Sequence, residues 1–230
     1  IGTKPFVLTV YDMIHEKFNE MFLPNDVTSQ NKRLLVEKAS KIIAISESTK
    51  KDLMKLFGTD ESKIEVVYLG NSMFPKLDTN LSLEIPKKYI LFVGSRGGYK
   101  NFERFIKSVA EILNHDEELF VLCTGGGAFN ASEMEFFKEL KIEQQVLQYN
   151  LDDDSLADFY KNALAFIFPS LYEGFGIPVL ESFACACPLL CSNVSSLPEI
   201  AGDGALYFDP YSEESMKNAV LKVLEDNSLR

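Results

Sequence analysis

Apolar and polar positions form two repeating textures along the chain. Short runs rich in β-branched and aromatic residues read as strands, and runs with apolar positions three and four apart read as helices. PFVLTVYD (5–12) has the first texture, and a polar stretch then leads to a helical pattern around 28–40. KIIAIS (41–46) is a second strand; Ser46 is placed to cap the helix in ESTKKDLMKLF, and Gly58 to stop it. IEVVYLG (64–70) is a third strand. Residues 71–88, NSMFPKLDTNLSLEIPKK, hold two prolines and no sustained period, and read as a linker.

A second series follows. YILFVGS (89–95) is a buried strand, and Asn101 is placed to cap FERFIKSVAEIL, whose Phe102, Phe105, Ile106, Val109, Ile112 and Leu113 share one face. LFVLCTG (119–125) runs into Gly125, Gly126 and Gly127, and Ser132 with Glu135 has capping-box spacing. VLQYN (146–150), a helix over 153–163 and the apolar strand LAFIFPS (164–170) come next. Pro178 opens a helix that runs to about Cys185. PLLCSN and ALYFDP are strands, and SEESMKNAVLKVLED is a terminal helix.

Apolar strands separated by helices predict an α/β fold of Rossmann-like parallel sheets with helices on both faces. The expected organisation is a partial N-terminal domain (1–70), the linker (71–88) and a C-terminal domain (89–230). Ligands of such sheets bind at the carboxyl ends of the strands, so the loops after Ser95, Thr124 and Ser170 carry the candidate chemistry.

With 230 residues, 46% hydrophobic and 25% charged, the chain is large enough for a real core. Its net charge of −11 disfavours nucleic acid as a partner, and a phosphate ligand would need local cations. The four cysteines (Cys123, Cys185, Cys187 and Cys191) lie in apolar surroundings and read as reduced, buried thiols. His15 and His115 are remote from them, so no zinc site is expected. No apolar run approaches the ~18–20 residues that span a bilayer, and no signal peptide is visible. The chain starts without Met directly ahead of a strand, as a piece of a longer protein would.

In GSRGGYKN (94–101), Arg96 and Lys100 flank Gly97 and Gly98 ahead of a helix N-terminus, which suits a phosphate. Read alone, the loop fits a charged surface turn equally well. It matches neither the Walker loop nor the dinucleotide fingerprint. In YEGFGIPVLE (172–181), Glu173 lies in a loop after an apolar strand, and Gly174 and Gly176 bracket Phe175. Glu181 lies one turn into the next helix. Two carboxylates suit paired sugar hydroxyls, and the amides from Gly174 to Ile177 sit at a helix start where a phosphate or sugar would be welcome.

FPSLYEGFGIPVLES resembles the E-x7-E signature of the family 4 (group 1) retaining glycosyltransferases of GT-B fold. FVGSRGGYKN, DDDSLADFYKNALAFIFPS and SNVSSLPEIAGDGALYFDP resemble segments that accompany it, in the same order. The resemblance implies two Rossmann-like domains facing across a cleft, and transfer of a sugar from a nucleoside-diphosphate sugar to a glycan or lipid-linked acceptor with retained configuration. It implies no cofactor and no metal. Arg96 and Lys100 would hold the diphosphate, Glu173 the donor sugar and Glu181 the ribose, with Gly94, Gly125, Gly174, Phe175, Gly176 and Ile177 lining the donor. It implies work in the cytoplasm, extending to the inner face of the membrane through peripheral contacts made by regions beyond this chain.

The departures are specific. Where the family often has His-Asp, YDMIHEKF places Tyr11 before Asp12, so either Tyr11 takes the place of the histidine or His15 reaches in from a position that otherwise reads as an ordinary loop residue. Cys185-Ala186-Cys187-Pro188 lacks a frequent glycine, which is tolerable if the backbone there needs no positive φ. The chain is also shorter than the family's. A non-catalytic nucleotide-sugar-binding module of the same fold is the alternative.

Overall fold

The computed structural model describes residues 4–73 and 85–226. Most of the linker, 74–84, lies outside the described residues. The first sheet is parallel, in the order β1 (Val7–Val10), β2 (Lys41–Ala44), β3 (Ile64–Val66). Its helices are α1 (Ile14–Lys17), α2 (Thr28–Lys38) and α3 (Glu47–Phe57). Ser46 caps α3 by accepting the Thr49 N–H, and Gly58 ends it in the left-handed region at φ 67°, as the sequence predicts.

The second sheet runs through β4 (Tyr89–Val93), α4 (Phe102–His115), β5 (Phe120–Thr124), α5 (Ala131–Glu139), β6 (Val146–Tyr149), α6 (Asp153–Asn162) and β7 (Ala165–Phe168). It continues with α7 (Ile177–Ala184), β8 (Leu189–Ser192), α8 (Leu197–Ala201), β9 (Ala205–Phe208) and α9 (Glu213–Glu225). All pairs are parallel, in the order β6-β5-β4-β7-β8-β9. Successive residues of β4 point to opposite faces. Ile90 and Phe92 pack with Phe105 and Val109 of α4, Phe137 of α5 and Val220 of α9. Tyr89 and Leu91 pack with Phe159 of α6, Val179 of α7 and Leu197 of α8. Both faces are covered at the sheet's centre, which is why β4 and β7 are apolar throughout.

This order positions the site. The chain enters at β4, builds outward to β6, then crosses back to lay β7 on the other side of β4. Neighbouring loops therefore leave β4 and β7 in opposite directions and open a crevice at the strands' carboxyl ends.

Three local expectations are corrected. Asn101 does not cap α4: its backbone is left-handed (φ 60°), and its buried side chain donates to the carbonyls of Pro169 (3.0 Å) and Pro210 (2.8 Å). It ties the ends of β7 and β9 to the loop after β4. The capping box of α5 is formed by Asn130 and Glu133, two residues ahead of Ser132 and Glu135. Ala186, which follows α7, does take positive φ (51°), so alanine stands where the backbone favours glycine. The four cysteines are free and buried, and burial pushes the thiols of Cys187 and Cys191 up to about 12. Among the described residues, no helix is long and apolar enough to cross a membrane.

Candidate functional site at the β4–β7 crevice

Lys100 and Glu173 meet in the crevice. Lys100 ends a 3-10 turn that Gly98 opens at φ 57°, and its Nζ lies 2.8 Å from Glu173 Oε1. Both side chains are largely withdrawn from solvent, at 17% and 11% exposure. The ammonium also lies over the rings of Tyr99 (5.3 Å) and Phe168 (5.6 Å). Burial, reinforced by the Glu173 and Asp12 carboxylates, pushes the Tyr99 phenol up to about 12.

The loop that carries Glu173 has an uneven hydrogen-bond ledger. Ser196 Oγ lies 2.9 Å from the Glu173 carbonyl and 2.8 Å from that of Phe175, and shares its proton between them. The Gly174 carbonyl accepts from Ser46 Oγ (2.6 Å) and Thr49 Oγ1 (3.1 Å). The Glu173 N–H donates to Ser195 Oγ (3.0 Å). Every carbonyl from 173 to 175 is thus engaged. Among the described residues, no hydrogen bond engages the N–H groups of Gly174, Phe175 or Gly176, although all three residues are buried. Unpartnered buried N–H groups are rare in folded chains. They stand at the N-terminus of α7, where Ile177 begins the helix. This arrangement suits an anion or a hydroxyl-rich ligand.

Arg96 is turned elsewhere. Its Nε and one terminal nitrogen bind Glu133 (2.6 and 3.3 Å), and its terminal nitrogens also reach the carbonyls of Gly125 (3.0 Å), Gly127 (3.1 Å) and Ala128 (3.1 Å). A guanidinium has five N–H donors, and these five contacts occupy them all. Arg96 braces the loop after β5. Burial works against the Glu133 carboxylate, but the Arg96 hydrogen bond and the Asn130 N–H bring it below the usual range. Gly125, at φ 80°, packs on Gly94: a Cβ there would lie 3.1 Å from the Gly94 Cα.

Glu181 is half-buried in α7, and its Oε2 accepts from the Tyr160 hydroxyl (3.0 Å). Burial raises its pKa, partly offset by that bond. Tyr11 is exposed, but its main chain presses on Gly174, where a Cβ would lie 1.9 Å from the Tyr11 oxygen. Asp12 accepts the Ile14 N–H (2.9 Å) at the start of α1. His15 stacks on Phe22 (3.9 Å), with its Nε2 3.8 Å from Asp26. Tyr11, Asp12 and His15 line a cavity of about 410 Å³ on the first sheet. The crevice therefore unites Lys100, Glu173 and the 174–177 amides, while Arg96 and His15 have partners of their own.

Sequence reasoning missed Ser195, Ser196, Thr49 and Glu199. Glu199, on α8, accepts the N–H groups of Glu47 (2.6 Å) and Ser48 (3.0 Å) at the start of α3. The SSLPE run was the available signal, but only long-range placement reveals its targets.

Residues 75–230 match the family described as glycosyl transferases group 1. The chain is 27% identical over 221 residues to the O-antigen chain mannosyltransferase RfbU of Salmonella typhimurium, covering 94% of this chain and 60% of that protein. It is 30% identical over 221 residues to a Campylobacter jejuni N-acetylgalactosamine-N,N'-diacetylbacillosaminyl-diphospho-undecaprenol 4-alpha-N-acetylgalactosaminyltransferase, covering 91% and 59%. The chain spans about 60% of the length of these relatives. Its fold matches that of Anabaena HepE in complex with UDP and glucose, with a TM-score of 0.79 at 16% identity over 98% of this chain and 63% of that one. It also matches WaaG, a glycosyltransferase involved in lipopolysaccharide biosynthesis, with a TM-score of 0.75 at 18% identity over 100% and 69%.

Proposed function

The chain belongs to the group 1 glycosyl transferases, and from that premise we propose that it moves a hexose from a nucleoside-diphosphate sugar to a glycan or lipid-linked acceptor. The carrying observation is the loop at 173–176: the carbonyls of 173–175 are tied back, and among the described residues the Gly174, Phe175 and Gly176 N–H groups are free, next to the Glu173 carboxylate that holds Lys100. The names of the relatives support the acceptor class: one builds O-antigen chains, and one acts on a diphospho-undecaprenol glycan. We place the reaction in the cytoplasm, at the membrane's inner face where the acceptor is lipid-linked.

In this reading the donor's diphosphate takes Lys100 from Glu173. Lys100 and the amides of Gly174, Phe175 and Gly176 then meet the negative charge that grows on the leaving diphosphate. Glu173, released, accepts hydroxyls of the donor sugar, and Glu181 accepts the ribose diol. The charge is met by protein groups, so the reaction needs no metal, and the anomeric configuration is retained as in family 4. Arg96 contributes the shape of the 125–128 loop.

The test is an assay of the full-length protein with GDP-, UDP- and ADP-sugars and a lipid-linked glycan acceptor, with the product's anomeric signal read by NMR. Transfer with retained configuration is expected. Inverted product would remove the family 4 mechanism, and no transfer from any donor would remove the activity.

A further inference from the structure

We propose that the first turn of α3 and Glu199 of α8 form a clasp that orients the Gly174–Phe175 peptide toward the donor's phosphate, which makes Ser46, Thr49 and Glu199 positioning residues of the transfer site. The inference rests on the donor-site reading above.

The clasp has two arms, and both cross from the first sheet to the second. In one, the fully buried hydroxyls of Ser46 and Thr49 fill both acceptor positions of the Gly174 carbonyl, at 2.6 and 3.1 Å. The N–H and C=O of a trans peptide point in opposite directions, and no peptide bond here is cis. A Gly174 carbonyl held toward α3 therefore aims the Phe175 N–H away from α3. In the other arm, the Glu199 carboxylate takes the N–H groups of Glu47 and Ser48, donors that the helix itself cannot satisfy. Its charge also suits the positive end of α3. The Tyr68 hydroxyl joins this arm, and its bond to Glu199 raises the Tyr68 pKa.

Gly174 makes the contact possible. Any Cβ there would collide with Tyr11 and Asp12, so the two sheets approach this closely only over glycine. Ser46 lies in the short loop after β2 and Gly174 in the loop after β7. Approach of the two sheets and alignment of the Phe175 amide are consequently one event. Ser46 does two jobs: it accepts the Thr49 N–H as the cap of α3 and donates to Gly174. Its loss would confuse the two, so Thr49 is the cleaner probe.

The experiment compares Thr49→Val, Thr49→Ser and Glu199→Ala in the full-length protein. Calorimetry titrates ADP, GDP and UDP and the matching nucleosides. Thr49→Val should weaken the preferred diphosphate about three- to tenfold, the range for one net hydrogen bond. The nucleoside should bind unchanged, and Thr49→Ser should restore the diphosphate. Equal losses for both ligands would mark a general structural defect and overturn the role, as would an unchanged diphosphate affinity. Amide hydrogen exchange at Glu47 and Ser48 reads the clasp without ligand. Protection in the wild type, lost in Glu199→Ala, is expected. Unprotected wild-type amides alongside normal diphosphate binding would overturn the clasp alone. Protected amides with no binding of any diphosphate would overturn the donor reading, and the clasp's role with it.

Discussion

Arg96 and Lys100 lie four apart in one loop, and charge spacing cannot separate their roles. Partners do. Lys100 faces Glu173 in the crevice, whereas Arg96 spends all five donors on Glu133 and three carbonyls. Glu133 is 37 residues away, a pairing that no local pattern announces. Replacing Lys100 with Met should lower kcat/KM roughly 10- to 150-fold, the range for a lost charge-assisted hydrogen bond of ~1.5–3 kcal/mol. Arg96→Lys keeps the charge and loses the planar fork, so it should behave as poorly as Arg96→Gln and speed hydrogen exchange at 125–128. Near wild-type exchange in Arg96→Lys would return Arg96 to the role of a simple phosphate cation. Glu181 invites a different measurement. Burial raises its folded pKa, so in the window above the unfolded value the folded state binds more protons. Stability then falls as pH rises through that window. Glu181→Gln should remove this slope and raise Tm at neutral pH, while weakening the nucleotide if the carboxylate meets the ribose. A variant no more stable than wild type at pH 7, with the same acid slope, would show that Glu181 carries no such burden.

At the scale of elements, texture and periodicity were enough to locate the nine strands and most helices among the described residues, because the central strands β4, β5, β7 and β8 are almost wholly buried and the strongly amphipathic α4 has one apolar stripe. Helix entries were less legible. Asn101 and Ser132 are of capping type, but the backbone at Asn101 is left-handed, and α5 begins one residue after Asn130. The short α8 has too few residues to show a period. The end of α7 offers a test. Ala186 is exposed, follows the helix and holds φ 51°. An L-residue pays ~1–2 kcal/mol in that region and glycine does not, so Ala186→Gly should raise stability by about 1 kcal/mol in a denaturation midpoint. A loss would mean that the extra backbone freedom of glycine outweighs the relieved strain. The loop before α7 predicts the opposite. Gly174→Ala places a methyl 1.9 Å from the Tyr11 oxygen, which forces the two sheets apart. Small-angle scattering should show a wider molecule, and transfer should fall at least tenfold by the loss of both hydroxyl contacts to Gly174. An unchanged envelope with full activity would show that the close approach is dispensable.

The whole molecule places the loops after β1, β2, β4, β7 and β8 against one another, so a donor held there touches both sheets. Alternating texture foretold parallel sheets, but the order β6-β5-β4-β7-β8-β9, and with it the crevice, is a long-range result. A ligand that binds the native state alone stabilises it by RT ln(1 + [L]/Kd), about 2.7 kcal/mol at a hundredfold excess over Kd. For a chain of this size each kcal/mol moves Tm by ~2–4 °C, so the preferred nucleoside diphosphate should raise Tm by roughly 5–11 °C under that excess. The matching nucleoside lacks the diphosphate assigned to Lys100 and the loop amides in the proposed reading, and at the same concentration should give a smaller rise. On the proposed reading protein groups meet the charge, and the diphosphate's shift should then persist in a chelator. A shift that vanishes with EDTA and returns with Mg²⁺ would mean that a divalent ion bridges the phosphates to carboxylates such as Glu173. Lys100 would then be the partner of Glu173 and not of the donor.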